Sequence, residues 1–504
     1  MTTIGKPGAR PASPVSPQPV KAPATSAKPN AVKAAVTQRM SDGFDSGPRA
    51  GARPQLSEVR TTETALKKDK GGGFLSGIGS AVGSAIGGIA KGVQKALAPQ
   101  VSTNADGRTV VDLGVGNNTA TVSQGKDGGL TIKSGSDTVT LTAEQAKGVI
   151  INGGAGNDSI TVDASVTQDI TLDGGEGDDK LTGGKGNDTL IGGAGNDTVI
   201  GGEGKDTLQG QDGDDYLEGG AGDDRILGGD GRDVLYGLDG NDYVSGGKGR
   251  DYIDGGAGND RAHGGEGDDQ VIGGRGNDTL SGGRGNDAVA GGEGTDKVAG
   301  GTGTDKLYVE ENETTADSEK AEREIVDMSN ADQRGSSVSV TGSAEFQARV
   351  QSDLDAMRSL PSGQELLGTL DKSGKKTVIR ETSGGNSAGG TNFNDGFMNA
   401  DGTPGKGTDA QVNYNTTRIS LGGEEWMNRP PVVGLFHELV HASDMNNGTL
   451  ALGSKNGTRN LEPSAVGLPI DLDQDPSTPD VVQPGRPGEN VLRDDLNLPT
   501  RPRY

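Results

Sequence analysis

Two histidines and a glutamate lie close together near the carboxy-terminal end of this 504-residue sequence. His437, Glu438 and His441 form the pattern H-E-x-x-H within an apolar stretch that favours a helix. Because residues four apart share one face of an α-helix, both imidazoles can reach one zinc ion. We expect Glu438 to act as the general base on the water molecule that attacks a peptide bond. The remaining histidine, His263, lies in a repeat region, and we interpret it as incidental.

A catalytic zinc ion requires a further protein ligand, and a carboxylate is the best candidate. The metzincin histidine is excluded, because Asp444 and Asn447 stand where that pattern needs Gly and His. Glu462 follows His441 by 21 residues, which resembles the gluzincin arrangement, in which a glutamate from a second helix completes the site. Asp444 is the rival ligand, and its alternative role is to orient an imidazole. Donors to the oxyanion stay unassigned among Tyr414, Arg501, Arg503 and Tyr504.

A second chemical pattern is a nine-residue repeat, G-G-x-G-x-D-x-U-x with U apolar, which fills residues 174–308. We interpret its aspartates, together with one earlier aspartate, as calcium ligands, because calcium prefers carboxylate and carbonyl oxygens. They are Asp158, Asp179, Asp188, Asp197, Asp206, Asp215, Asp224, Asp233, Asp242, Asp251, Asp260, Asp269, Asp278, Asp287, Asp296 and Asp305.

The spacing of the repeat also predicts its fold. The three residues around U predict a short strand with U pointing inward, and the other six predict a tight turn that uses glycine at positive φ. Two repeats then complete one coil, and stacked turns bring aspartate and glycine oxygens to a common point. The region resembles the RTX parallel β-roll, which implies calcium binding.

The negative charge of this region predicts that it folds only when calcium is bound. Stacked carboxylates repel one another, and one apolar residue in nine buries little surface, so we expect the repeats to fold on binding calcium. Gln211 and Leu238 replace the second glycine in two turns. Those two turns are expected to bind calcium weakly.

Composition limits the classes to which the protein can belong. Glycine accounts for 90 residues, aromatic residues for 3%, and the net charge is −24. So little apolar material excludes a single large globular enzyme. The acidic balance argues against a nucleic-acid partner and favours cations. The absence of cysteine excludes disulfides and thiol chemistry.

Changes in composition divide the chain into five segments. Residues 1–70 are rich in Pro, Ser and Ala and predict a disordered tail, either simply solvated or serving as an uncleaved export signal. Residues 71–100 predict a Gly-rich amphipathic helix, whose part 71–98 either contacts a membrane or caps the next domain. The remaining segments are 101–310, with lead-in strands and the β-roll; 311–335, a linker with a charged, helix-like stretch at 315–330; and 336–504, the peptidase domain.

The predicted fold class is therefore multidomain: a disordered amino terminus, a central parallel β-roll (an RTX β-solenoid), and a carboxy-terminal α+β, zincin-like metallopeptidase domain. In that last domain, apolar periodicity predicts helices at 346–360 and 366–370, and strands at 377–379 and 412–414.

Residues 336–504 resemble the NleD-like zinc metallopeptidases, effectors that pathogenic bacteria inject through type III secretion. The resemblance implies a zincin fold and cleavage of host signalling proteins inside the host cell. It does not cover the repeats in front, which leaves the route of export open between type I and type III. The residues that carry it are Gly422–Trp426, Arg429–Pro431, His437–Asp444, Asn460–Glu462, Glu489–Arg493 and Leu498–Tyr504.

Together these patterns predict a secreted zinc metalloendopeptidase of the effector or toxin type, with Zn²⁺ and Ca²⁺ as cofactors. The expected partners are a protein substrate, which the resemblance implies is a host protein, and a bacterial secretion apparatus. Delivery into the host cell is one expected localisation. Two alternatives stay open: an RTX adhesin or membrane-active toxin with a non-catalytic carboxy-terminal domain, and an extracellular degradative protease. The oligomeric state is not predicted.

Overall fold

A computed structural model of the chain describes residues 99–311, 313–315, 321–399, 403–417, 429–450, 454–455, 458–459, 465–466 and 487–502. The predicted tail at 1–70 and the part 71–98 of the helix predicted at 71–100 lie outside these residues, and Gln100, at the end of that prediction, begins a strand instead. Within the described ranges, no helix has the length and apolar character needed to span a bilayer. The described chain consists of a central parallel β-solenoid and a carboxy-terminal α+β region, as the sequence predicts.

Short strands lead into the solenoid. Their alternation of polar and apolar residues buries Val111, Val122 and Ile132 on one face, as alternation predicts. A single helical turn, α1 (Ala143–Ala146), begins with a capping box at Thr142. The strands are β1 Gln100–Thr103, β2 Thr109–Asp112, β3 Thr119–Gln124, β4 Leu130–Ser134 and β5 Asp137–Leu141.

Two parallel sheets form the solenoid, and consecutive strands alternate between them. Each repeat strand pairs with the strand one coil further on, so that Leu190 lies opposite Leu208, which confirms two repeats per coil. Most strands run for six residues instead of the expected three, because the Gly–Gly pair continues the ladder, with Gly193 opposite Gly175. The strands are β6 Ile150–Ala155, β7 Ser159–Val162, β8 Thr171–Glu176, β9 Lys180–Thr182, β10 Thr189–Ala194, β11 Thr198–Glu203, β12 Thr207–Asp212, β13 Tyr216–Ala221, β14 Arg225–Asp230, β15 Val234–Asp239, β16 Tyr243–Lys248, β17 Tyr252–Ala257, β18 Arg261–Glu266, β19 Gln270–Arg275, β20 Thr279–Arg284, β21 Ala288–Glu293, β22 Lys297–Thr302 and β23 Lys306–Val309.

The core of the solenoid is a thin row of apolar side chains. The U residue of each repeat points inward, and Leu190, Val199 and Leu208 are fully buried. One buried aliphatic side chain contributes about 1.5–3 kcal/mol, whereas ordering a nine-residue repeat costs roughly 1–2 kcal/mol per residue in backbone entropy alone. The core therefore cannot hold the roll together alone, and the turns must supply the rest.

The segment after the last repeat extends the roll. The strand β24 (Thr314–Thr315) joins one sheet beside β22, and β25 (Glu322–Ile325) pairs in parallel with β23 in the other. The helix expected within 315–330 is therefore wrong for residues 322–325. The open edge of a sheet presents unpaired N–H and C=O groups, and pairing with them outweighs the local preference for a helix.

A mixed four-stranded sheet and several helices form the α+β region. The strand order is β26-β27-β29-β28, with β28 as the antiparallel edge. The helices predicted at 346–360 and 366–370 and the strands predicted at 377–379 and 412–414 are all present. The elements are a 3-10 turn Ala331–Gln333, β26 Val338–Thr341, α2 Ala344–Arg358, α3 Pro361–Lys372, β27 Thr377–Glu381, β28 Ser387–Gly390, a 3-10 turn Phe393–Gly396, β29 Ala410–Tyr414, α4 Pro431–Asn447, β30 Ser454–Lys455, β31 Thr458–Arg459 and α5 Glu489–Asp495.

The helix α2 packs across the outer face of one sheet of the roll, against β15, β17 and β19. The guanidinium carbon of Arg349 lies 3.2 Å from the centre of the Tyr236 ring, and the same side chain pairs with Asp353 at 2.7 Å. Tyr236 also lies between Tyr216 and Tyr252, at ring-centre distances of 6.0 and 5.6 Å. Buried aromatic and charged side chains therefore join the roll to the α+β region.

Acidic groups outnumber basic groups at the centre of this interface. Glu218 and Asp254 of the roll and Asp353 of α2 are all buried around Arg349. Burial raises the pKa of Asp254 to about 8, although Arg349 acts in the opposite direction. Contact between roll and helix thus holds carboxyl groups where their charged form is disfavoured.

Candidate active site and metal-binding turns

The helix α4 carries the three residues of the H-E-x-x-H pattern. Pro431 occupies its first turn, where the missing N–H costs nothing, and Gly448, at φ 69°, ends it in the left-handed conformation. Residues 431–446 are all buried. Three ionisable side chains in the middle of a buried helix are costly unless they have partners, which makes their surroundings informative.

The two histidines of α4 face each other. Their Nε2 atoms lie 3.2 Å apart, and the two rings are almost perpendicular, at 89°. The Nδ1 atom of His437 lies 2.9 Å from Oε2 of Glu489, on α5. A carboxylate in that position accepts the Nδ1 proton and leaves the Nε2 lone pair for a metal ion. The two facing nitrogens are therefore close enough for both to contact one metal ion.

Glu489 is fully buried and surrounded by positive charge. Its Oε1 accepts a hydrogen bond from Nε of Arg493 at 2.7 Å, and guanidinium nitrogens of Arg429 and Arg501 lie at 3.4 and 3.5 Å. Burial disfavours the charged form, but Arg493, Arg429 and the hydrogen bond from His437 together hold the pKa of Glu489 well below its usual value. Glu489 is thus an ionised carboxylate in contact with His437.

The other predicted zinc-site residues differ in what surrounds them. Glu438 is 1% exposed and follows His437 on α4. Asp444 is also buried, and its Oδ1 accepts a hydrogen bond from the hydroxyl of Thr449 at 2.9 Å. Glu462 lies outside the described residues. Within the described ranges, no three His, Asp or Glu side chains are grouped to hold a metal ion, so the described chain supplies two of the predicted ligands.

The residues considered for the oxyanion are also separated by the structure. The hydroxyl of Tyr414 donates to Oδ2 of Asp353 at 2.8 Å and so belongs to the interface with the roll. Arg501 is buried beside Glu489, whereas Arg503 and Tyr504 lie outside the described residues. His263 is exposed on β18, which agrees with its interpretation as incidental.

In the turns of the roll, the predicted calcium ligands form two ladders. From Asp197 onward, Oδ1 of each aspartate accepts the backbone N–H of the aspartate one coil earlier, as Asp206 does from Asp188 at 2.7 Å and Asp242 from Asp224 at 2.7 Å. The second oxygen, Oδ2, points into the turn. It is buried and accepts no hydrogen bond from a described residue in Asp158, Asp179, Asp197, Asp206, Asp215, Asp224, Asp233, Asp242, Asp251, Asp260, Asp269, Asp278, Asp287 and Asp296.

These Oδ2 atoms converge with backbone carbonyl oxygens. A β-carbon added to Gly255, the first glycine of its repeat, would lie 2.7 Å from Oδ2 of Asp260 and 2.6 Å from the carbonyl oxygen of Gly273. Only a position without a side chain leaves this space open between the oxygens. Buried carboxylate oxygens that accept no hydrogen bond from a described residue and meet carbonyl oxygens at one point fit a hard cation such as calcium.

Without a cation, burial and mutual repulsion of these carboxylates raise the pKa of the aspartates. Burial, followed by repulsion from Asp233, raises the pKa of Asp251 to about 9, and burial raises that of Asp206 to about 8. Bound calcium would compensate this cost and hold the groups ionised.

The two irregular turns keep the same arrangement of oxygens. Gln211 and Leu238 adopt positive φ angles of 80° and 75°, which glycine provides elsewhere. The first glycine of each turn is retained, and around Gly210 and Gly237 the aspartate and carbonyl oxygens still converge. Both substitutions therefore leave the oxygens in place, and weak binding by these turns stays a prediction.

Comparison with known proteins bears on both parts of the chain. Residues 334–504 match the model of the peptidase M91 family, described as an effector protein. The carboxy-terminal region is a peptidase M91 effector domain. Residues 150–164, 171–199, 200–235, 236–271 and 272–307 match the RTX calcium-binding nonapeptide repeat. No curated protein matches the chain. The predicted combination of RTX repeats and an effector peptidase is thus confirmed, and both families point to secretion.

Glu489 is the site residue of the M91 domain to which sequence reasoning assigned no role. It lies 52 residues after His437, and no spacing rule connects the two. The available signal was its position four residues before Arg493 on a short helix, within the segment Glu489–Arg493 that carries the family resemblance. That spacing predicts an ion pair, but nothing in it indicates the histidine.

Proposed function

We propose that the chain is a secreted bacterial effector endopeptidase that depends on zinc and carries a calcium-folded RTX module. The observation that supports zinc most directly is the 3.2 Å approach of the two Nε2 atoms, with Nδ1 of His437 held by ionised Glu489. A structural pair of buried histidines would not need a buried carboxylate and three arginines behind one ring. The donor set of two imidazoles with an outer carboxylate is typical of catalytic zinc sites.

In this proposal His437 and His441 hold the zinc ion, and Glu462 is the third ligand on grounds of sequence alone. Zinc bound there would polarise the scissile carbonyl group and lower the pKa of a water molecule. The Glu438 carboxylate takes the proton of the attacking water and delivers it to the leaving amine. Glu489 keeps the proton of His437 on Nδ1. The substrate is a protein, and the effector family suggests a host protein cleaved after delivery into the host cell.

The test uses the full-length chain at saturating calcium, so that the repeats do not take up zinc. We expect one zinc ion per chain by inductively coupled plasma mass spectrometry, and its loss in His437→Ala and His441→Ala. Glu438→Gln should keep zinc and fold but reduce cleavage of casein by about 10²–10⁴-fold, because proton transfer is lost.

His263→Ala is the matched control, because this exposed histidine of β18 should change neither zinc content nor activity. Undiminished proteolysis by Glu438→Gln would contradict its role as base, and a wild-type chain without stoichiometric zinc would contradict the whole proposal. Mass spectrometry of peptides released in host-cell lysate would then identify the substrate and the cleaved bond.

A further inference from the structure

Each calcium-binding turn of the roll uses an oxygen from the next coil as well as its own aspartate. At the carboxy-terminal end of the roll, the last turns have no next coil. In a regular turn, the open point beside the first glycine lies between the aspartate of the same repeat and the carbonyl oxygen of the first glycine one coil later. At Gly273 these are Asp278 and Gly291. The next turn begins at Gly291, and one coil later the chain has Val309 and has left the repeats.

A carboxylate from outside the repeats occupies the vacant side of this last turn. A β-carbon added to Gly291 would lie 2.7 Å from Oδ2 of Asp296 and 3.0 and 3.2 Å from the two side-chain oxygens of Glu313. Glu313 therefore stands where the glycine carbonyl stands in the turn before. It lies just ahead of β24, the short strand that pairs with β22 in the other sheet.

Glu313 is fixed in place and buried. It is 6% exposed, and Asp296 is 1% exposed. Oε2 of Glu313 accepts the backbone N–H of Glu310 at 2.8 Å, which orients the carboxylate. Oε1 of Glu313 and Oδ2 of Asp296 are buried and accept no hydrogen bond from a described residue. Two buried carboxylates that face one point repel each other unless a cation or a shared proton lies between them, and burial together with Asp296 raises the pKa of Glu313 to about 8.

We propose that Glu313 and Asp296 form a terminal calcium site that closes one ladder of the roll, with Glu313 replacing the carbonyl oxygen of the absent next coil. The site ties the segment after the repeats to the last coil when calcium is bound. This inference rests on the RTX repeats and is independent of the peptidase mechanism.

The test compares Glu313→Gln with Glu311→Gln in the full-length chain, with calcium as the only added metal. Both variants remove one negative charge from the same segment, but Glu311 is exposed. Native mass spectrometry and calorimetric titration should show one calcium ion fewer for Glu313→Gln and the wild-type number for Glu311→Gln. Thermal unfolding should show a lower midpoint for Glu313→Gln in calcium, and an unchanged or higher midpoint without calcium, because the repulsion with Asp296 is relieved.

An equal calcium count for the two variants would overturn the proposal. So would a loss of stability of the same size with and without calcium, since that result indicates a purely structural role. Gly291→Ala gives an independent check, because its methyl group would fill the same point. It should remove the same calcium ion, and the double variant with Glu313→Gln should lose no more than either single variant.

Discussion

Glu489 is the residue through which the protein fixes the orientation of His437. It is ionised and fully buried, and it touches the Nδ1 side of the ring. Removing a carboxylate behind a metal-binding histidine typically lowers metal affinity about 10–100-fold. We therefore predict that Glu489→Gln lowers the zinc affinity of the full chain by about that factor and reduces proteolysis in parallel. Competition with a chromogenic zinc chelator at saturating calcium measures the affinity.

Asp495→Asn is the matched control for this variant. Asp495 lies on the same helix α5 and is buried, but it accepts the backbone N–H of Ser362 at 3.0 Å and does not contact His437. The control should lose some stability and keep wild-type zinc affinity. If Glu489→Gln loses stability but binds zinc as tightly as Asp495→Asn, Glu489 has only a structural role.

For single residues, the sequence predicts the contacts that helical spacing sets. It misses the contacts that form only when distant elements pack together. His437 and His441 are recognisable because four residues make about one helical turn, which fixes their relation before any packing is known. Glu489 reaches His437 only after α5 packs against α4. No local rule encodes a contact across 52 residues, so the partner of the ring could not be predicted.

At the scale of the element, the first glycine of each repeat has a different role from the second. Gly255 lies outside the left-handed region, so alanine would fit its backbone, but the methyl group would enter the space between Asp260 and Gly273. We predict that Gly255→Ala binds one calcium ion fewer and loses about 1–3 kcal/mol of stability in calcium, as overpacking usually costs. Calcium titration and thermal unfolding of the full chain measure both effects.

Gly368→Ala is the control for the glycine substitution. A β-carbon on this residue of α3 meets nothing within 4 Å, and alanine favours a helix by about 0.5–1 kcal/mol over glycine. The control should keep every calcium ion and gain slightly in stability. Full calcium binding by Gly255→Ala would show that the oxygens around it do not form a cation site.

The nonapeptide specifies its element almost completely, because each repeat strand pairs with the equivalent strand one coil away. Inward U residues and the coil of two repeats follow from the period alone. The six-residue strands and β25 do not, since they depend on the edge that a neighbouring strand offers. The sequence of 322–325 favours a helix locally. It forms a strand because β23 lies beside it and offers hydrogen-bond partners.

At the scale of the whole molecule, the roll and the M91 domain share a buried interface. The sequence predicts only two separate domains joined by a linker, so this interface was not expected. Outward residues of one sheet of the roll, such as Tyr216, Tyr236 and Tyr252, are buried under α2. The hydroxyl of Tyr308 donates to the backbone carbonyl of Asp495 at 3.0 Å, which attaches α5 to the roll as well. The same helix α5 carries Glu489. The calcium-binding turns and the helix that carries the H-E-x-x-H pattern are thus connected through packed elements.

We predict from this connection that calcium withdrawal loosens the peptidase domain along with the repeats. The roll has a thin core and turns full of carboxylates, so it should unfold without calcium. The outer face that covers Arg349 and its surrounding acids would then be lost. Hydrogen exchange in α2 and α5 should rise in calcium-free buffer that contains buffered zinc, together with exchange in the repeats.

Zinc withdrawal at saturating calcium is the control and should leave the repeats protected. Unchanged protection of α2 and α5 while the repeats exchange fully would show that the M91 domain is stable without the roll, and the contacts of Tyr236 and Tyr308 would then contribute little to its stability.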